Sequence, residues 1–330
     1  MVFRPAAAPP AAPYSVPSYA DPAAYKEEDV KIGTAEWPLP ATLTMPAGGK
    51  SYPAVVLVHG SGPNDRDQTV GANKMFKDLA LGLASRGIAV LRYDKRSRVH
   101  GAKLAALKSF TVKDEVLDDV GEALAWVGAH PAIDPRRIFV LGHSLGGMLI
   151  PRIVAANGTV AGAIVMAGAA RPIEVALVEQ TRYLAMLDGT ISPAEQQQID
   201  AMDQTAASIK ALGDRDAPEG KLFAGAPASY WLDLRRYDAP AAAAGLKTRL
   251  LVLQGERDYQ VTMAEFERWK RALGGRRDVT LRSYPALNHQ FIAGSGPATP
   301  QEYQTPSHVA EDVIRDIAAW LRQDISSRQN

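Results

Sequence analysis

The sequence predicts an α/β fold: a mostly parallel central sheet with helices on both faces and a helical cap inserted before the last two strands. Three observations predict it. Apolar runs without in–out alternation recur at 54–58, 88–93, 138–141, 160–166 and 250–253, as strands covered on both faces require. Stretches with helix-period apolar stripes separate most of them, and strand–helix alternation is satisfied by parallel pairing. Between Arg171 and Pro240 that alternation stops and only helical patterns remain.

Taken in order, residues 1–25 are rich in Pro and Ala and lack a continuous apolar core, so they read as a flexible lead. Two short strands between Val30 and Met45 meet near Glu36 to Pro38, and Pro38 and Pro40 place them at a sheet edge. The run Ala54 to Val58 ends in His59-Gly60-Ser61-Gly62-Pro63. A helix from about Asn73 to Arg86 carries Met75, Leu79 and Leu83 on one stripe, with Gly87 as its stop. The strand Ile88 to Tyr93 closes in Asp94-Lys95-Arg96, and Val112 to Trp126 is a helix with Val116, Val120 and Leu124 on one face. The strand ending at Leu141 runs through Gly142 to Gly146 into another helix, which Pro151 should kink. Val160 to Met166 is the next strand.

Within 171–240, one helix spans Ile173 to Leu187. A second opens at Ser192, where Glu195 stands at capping-box spacing and Pro193 suits the first helical position. A third piece holds Tyr230, Trp231, Leu232 and Tyr237. About seventy residues are too many for a loop, hence a cap at 171–240 and a core made of 26–170 and 241–330. The core resumes with a strand at 249–255, a helix at 264–273, a strand at 279–284 and a last helix at 308–321.

Composition narrows the function classes. Lys plus Arg is 37 and Asp plus Glu is 36, so the near-neutral chain shows no electrostatic footprint for nucleic acid. No apolar run is long enough to span a membrane. With no cysteine, disulfides, thiolate metal sites and a cysteine nucleophile are excluded. The expected location is cytoplasmic, or periplasmic or secreted if a signal peptide has been removed.

Chemistry concentrates in the turn Gly142-His143-Ser144-Leu145-Gly146. Two glycines flank a serine between a buried strand and a helix, the spacing of a nucleophile elbow. A serine on so tight a turn takes a strained backbone, and side chains at the flanking positions would collide with the neighbouring strand and helix. A serine hydroxyl needs a base, and the base needs a carboxylate. His289 follows the last strand and Asp258 follows the strand before it, both at the sheet's carboxyl edge, where ligands bind. Glu256 is the neighbouring acid and is expected to turn outward; His308 is the second choice of base. His59 suits structural support, and His143 is expected to point away from Ser144. The backbone N–H groups of Ser61 and Leu145 are the expected oxyanion donors, with Gly60 and Gly62 allowing close approach. Tyr183, Phe223, Tyr230 and Trp231 are available to wall a substrate pocket. No His/Asp cluster has ligand spacing, so neither metal nor cofactor is expected.

Assembled, these motifs resemble the α/β-hydrolase superfamily over about Lys26 to Gln323. Gly60 to Asp67 and Tyr93-Asp94-Lys95-Arg96 are similar to a bacterial branch of carboxylesterases and serine-peptidase-like hydrolases, with Asp65, Arg66 and Asp67 expected to form an internal ion-pair lock. The resemblance implies an α/β-hydrolase fold and a Ser-His-Asp hydrolase of small to medium acyl esters, its partner a small-molecule ester. The alternatives are an aminopeptidase or amidase, with Glu174 or Glu179 holding a substrate ammonium, a feruloyl-type esterase, or a non-catalytic binding module.

Overall fold

In the computed structural model, which describes residues 14–213, 222–223 and 225–323, the apolar runs assemble into one eight-stranded sheet. Its strands are β1 (Tyr25–Ile32), β2 (Leu39–Pro46), β3 (Tyr52–Val58), β4 (Ala89–Tyr93), β5 (Ile133–His143), β6 (Gly162–Met166), β7 (Leu250–Gly255) and β8 (Val279–Tyr284). They lie in the order β1-β2-β4-β3-β5-β6-β7-β8. β1 and β2 pair antiparallel, as do β2 and β4. Every later pair is parallel. The central strands β4, β6 and β7 are buried along their whole length, which is why their sequences show no alternation.

The two strands flanking Pro38 lie together at one end of the sheet, as their prolines suggest. Pro40 lies in β2, opposite Lys31 of β1, and the ladder to β4 starts one residue later at Ala41. The edge strand is β1, whose exposed Lys, Glu and Asp side chains discourage further pairing.

Helices fill the connections. α1 (Met75–Ala84) begins at the first residue of its apolar stripe rather than near Asn73, because Asn73–Lys74 pair with Thr69–Val70 in a two-residue ladder. Two short helices, Arg96–Val99 and Gly101–Ala105, lie where no periodic signal exists. α2 (Asp118–Gly128) is preceded by a π-helical turn at Lys113–Leu117. α3 (Leu145–Ala156) continues through the buried Pro151.

Between β6 and β7 come α4 (Ile173–Ala185), α5 (Pro193–Lys210), α6 (Ala228–Arg235) and α7 (Ala239–Ala244). The Ser192 hydroxyl accepts from the Glu195 N–H at 3.3 Å, and the Glu195 carboxylate accepts from the Ser192 N–H at 2.8 Å. The stretch is not purely helical, since Leu222–Phe223 and Ala226–Pro227 form a small antiparallel hairpin. Ile209, Leu212, Ala228, Trp231 and Leu232 give this insert an apolar cluster of its own. α8 (Met263–Leu273) and α9 (Glu311–Arg322) complete the core. α9 starts three residues late because Asp78 of α1 holds the Val309 N–H at 2.9 Å and the His308 ring at 3.0 Å.

Part of the proline-rich lead is tied down. The Tyr14 hydroxyl donates to Asp78, Arg86 donates to the Tyr19 carbonyl, and the Asp21 N–H donates to Ser85. Residues 1–13 lie outside the described residues. Among the described residues, no helix is long and apolar enough to cross a membrane.

Candidate active site

Ser144 caps α3 with φ 56° and ψ −116°, a backbone that L residues rarely adopt. The glycines beside it have structural causes. A Cβ on Gly142 would overlap the Gly146 carbonyl, and one on Gly146 would overlap the Val58 and His59 carbonyls. β3, β5 and α3 therefore meet more closely than side chains permit. The Ser144 N–H donates to the Met166 carbonyl at 3.0 Å, which pins the turn to the end of β6.

The turns after β7 and β8 bring Asp258 and His289 together. His289 Nδ1 donates to Asp258 Oδ2 at 2.6 Å, with both side chains buried. Asp258 Oδ1 accepts the N–H groups of Gln260 and Val261 at 2.8 and 2.9 Å, which fixes the carboxylate plane. A carboxylate that accepts from Nδ1–H leaves Nε2 of the imidazole as the basic nitrogen. Asn288 shapes the histidine loop: its Oδ1 accepts from the N–H groups of Gln290 and Ile292, and its Nδ2 donates to Glu302. Glu302 also pairs with Arg257, so one carboxylate ties the turn of Asp258 to the loop of His289. Glu256 turns outward to the Ser283 hydroxyl, and His308 is committed to Asp78.

Ser144 and His289 line one cavity of about 200 Å³, together with Gly60, Ser61, His143 and Leu145. Among the described residues no hydrogen bond joins the Ser144 hydroxyl to the imidazole. Such contacts often tighten only when substrate is bound. Ser61 and Leu145 also line a second chamber of about 610 Å³ whose wall is largely apolar. Gly62, Leu104, Phe110, Tyr230 and Trp231 face that chamber. Tyr183 does not: its ring stacks on Tyr259 at 4.9 Å, and its hydroxyl donates to the Ala298 carbonyl. The Phe223 side chain lies outside the described residues.

Glu174 and Glu179 line neither cavity. Arg171 hydrogen-bonds Glu179 and holds its carboxyl below the usual range. Among the described residues Glu115 is the acidic side chain on the chamber wall, and Lys95 neutralises it at 3.1 Å. Of the charges after the turn at 59–62, two form ion pairs as expected: Arg66 with Asp94 and Asp29, and Asp67 with Arg92 and Lys74. Asp65 instead accepts from the Thr69 N–H and hydroxyl.

His143 packs against the loop that carries His289. Its ring lies against that of His289, centroids 4.5 Å apart, and its Nε2 donates to the His289 carbonyl at 2.9 Å. Gln68 fixes that tautomer. The Gln68 Oε1 accepts the Gly60 N–H at 3.1 Å, so its amide nitrogen donates to His143 Nδ1 at 2.6 Å. Burial, with His289 adjacent, holds His143 well below the usual imidazole range and hence neutral. Gln68 and His143 thus link the turn after β3 to the loop of His289, a link that spacing along the chain does not announce. His59 is buried between the rings of Phe76 and Tyr93, and its Nε2 meets the Asp65 carbonyl, consistent with support.

A sequence model of the alpha/beta hydrolase family matches residues 55–315. Esterase EstD of Thermotoga maritima is 41% identical over 308 residues, which cover 93% of this chain and 70% of that protein. Among solved structures, an esterase of Pyrobaculum calidifontis superposes with a TM-score of 0.55 at 18% identity, covering 90% of this chain and 85% of that one. Est1E of Butyrivibrio proteoclasticus gives 0.55 at 14% identity, covering 89% and 98%. At these identities, the two structures speak for the fold.

Proposed function

The chain belongs to the alpha/beta hydrolase family, and from that premise we propose that it hydrolyses carboxylic esters of small molecules through Ser144, His289 and Asp258. Ser144 Oγ attacks the ester carbonyl carbon while its proton passes to His289 Nε2. The Ser61 and Leu145 N–H groups receive the negative charge that develops on the carbonyl oxygen. The bond to the alcohol then breaks, and the alkoxide takes the proton from Nε2. Water, deprotonated by Nε2, attacks the acyl-serine carbonyl and releases the acid as Ser144 recovers its proton. Asp258 orients the imidazole and stabilises its charged form throughout.

One observation carries the proposal: the 2.6 Å bond from His289 Nδ1 to Asp258, on the rim of the cavity that the strained Ser144 enters. The coarser activity, ester hydrolysis, draws support from the 41% identity to an esterase. The apolar chamber beside the two oxyanion donors suits a small to medium acyl or aromatic group. Among the described residues no wall carboxylate is left over to hold a substrate ammonium, which favours esters over aminoacyl substrates.

The test is Ser144→Ala assayed on p-nitrophenyl esters and aminoacyl p-nitroanilides. The expected fall in kcat on esters is about 10⁴–10⁶-fold, with butanoyl and hexanoyl esters outpacing hexadecanoyl esters in the parent enzyme. Undiminished turnover by the alanine variant removes the mechanism. Preferential cleavage of the anilides removes the substrate assignment alone.

A further inference from the structure

Lys95 takes no part in the steps above, yet its ammonium group sits directly behind the turn that would hold the oxyanion. It stands two residues past the end of β4, with a side chain only 3% exposed. Its Nζ donates to the Gly60 carbonyl at 3.0 Å and pairs with Glu115 at 3.1 Å. Gly60 and Ser61 share one peptide unit. In a trans peptide the C=O and N–H point in opposite directions across a rigid plane. A cation that fixes the Gly60 oxygen therefore also fixes the direction of the Ser61 N–H.

Asn64 Nδ2 holds the same plane, donating to the Gly60 oxygen at 3.2 Å. The preceding His59–Gly60 peptide is fixed in turn by its N–H, which donates to Gln68 Oε1 at 3.1 Å. A positive charge on the carbonyl also draws electron density through the amide, making its N–H a stronger donor. Glu115 keeps the ammonium from being a lone buried charge, and its other oxygen accepts the Tyr230 hydroxyl at 2.9 Å. Tyr230 belongs to α6 and faces the apolar chamber.

We propose that Lys95 is a positioning residue for ester hydrolysis, orienting and polarising the Ser61 N–H toward the oxygen that becomes negative, with Glu115 and Tyr230 holding it there. The assignment rests on Ser61 being an oxyanion donor. A purely structural ion pair would affect stability alone. A positioning residue affects kcat and the binding of tetrahedral adducts together.

The experiment compares Lys95→Met with Lys95→Met/Glu115→Gln, the second leaving no unpaired buried charge. Each is measured for kcat and KM on p-nitrophenyl butyrate and for inhibition by a trifluoromethyl ketone, which forms a tetrahedral adduct with serine. Both variants are expected to lose about 10²-fold in kcat, the scale of a missing oxyanion donor. KM should stay within about threefold, and inhibitor affinity should weaken in step with kcat/KM. Lys95→Gln, which keeps a neutral donor, supplies the same comparison if the methionine variants do not fold. A folded variant with kcat within about threefold of the parent overturns the proposal, as does a drop in kcat with unchanged inhibitor affinity. Ser144→Ala separates the premises: if it is inactive while the Lys95 variants stay active, only the role of Lys95 falls.

Discussion

Gly142 and Gly146 leave no room for a side chain, and that fact sets how firmly the elbow is built. At position 146 the obstacle is the backbone of β3, which cannot rotate away as a side chain could. Gly146→Ala is therefore expected to lower the unfolding free energy by about 1–3 kcal/mol, the usual cost of overpacking, and to lose most ester turnover. Urea denaturation and a p-nitrophenyl butyrate assay measure both, and an alanine variant as stable as the parent would contradict the crowding. The two glycines were legible because collision leaves a trace in spacing. Gln68, His143 and Lys95 were not assigned their contacts: Gln68 and His143 are 75 residues apart, and Lys95 and Gly60 are 35 apart. Such partners are set by which strands become neighbours, and each of these side chains reads in isolation as an ordinary polar residue.

At the scale of elements, Arg171 is the joint between core and insert. Its guanidinium reaches Glu265 of α8 at 2.5 Å and Glu179 of α4 at 2.6 Å. Glu265 is 1% exposed and otherwise accepts only the Ala170 N–H, at 2.8 Å, among the described residues. Arg171→Met strands that carboxylate and is expected to cost about 3 kcal/mol, with faster hydrogen exchange in α4. Adding Glu265→Gln should recover most of the loss; a single variant that costs under about 0.5 kcal/mol would show the joint to be no better than a surface pair. Most strands and helices were legible from apolar runs and stripes. Boundaries slipped where a tertiary contact outbid periodicity, as at α9, whose first turn gives way to bonds with Asp78. The short helices at 96–99 and 101–105 carry no stripe because four or five residues make little more than one turn, too few for a period to repeat.

Across the whole molecule, two buried histidines make stability depend on pH. Burial, with Lys95 adding to it, lowers His59 to about 3, and burial lowers His143 as well. The unfolded chain binds a proton at each histidine below about pH 6.5, whereas the folded chain does not until far lower pH. Protons thus favour unfolding, and the folded state loses stability as pH falls from 6.5 toward 3. The loss for His59 alone is about 2 kcal/mol by pH 5. Urea midpoints at pH 7.5, 6 and 5 should descend, with proton uptake on unfolding measured calorimetrically near pH 5.5; a level series would show that the folded protein protonates these rings freely. The walls of the large chamber have a different parentage from its rim. Leu104 and Phe110 come from the connection before α2, and Met202, Tyr230 and Trp231 come from the insert, while Ser144, Asp258 and His289 sit at strand ends of the core. If the proposed triad and chamber are right, reactivity and selectivity are written in different stretches of the gene, and substrate range is then the trait that recombination or an engineer can rewrite with the fewest collateral losses.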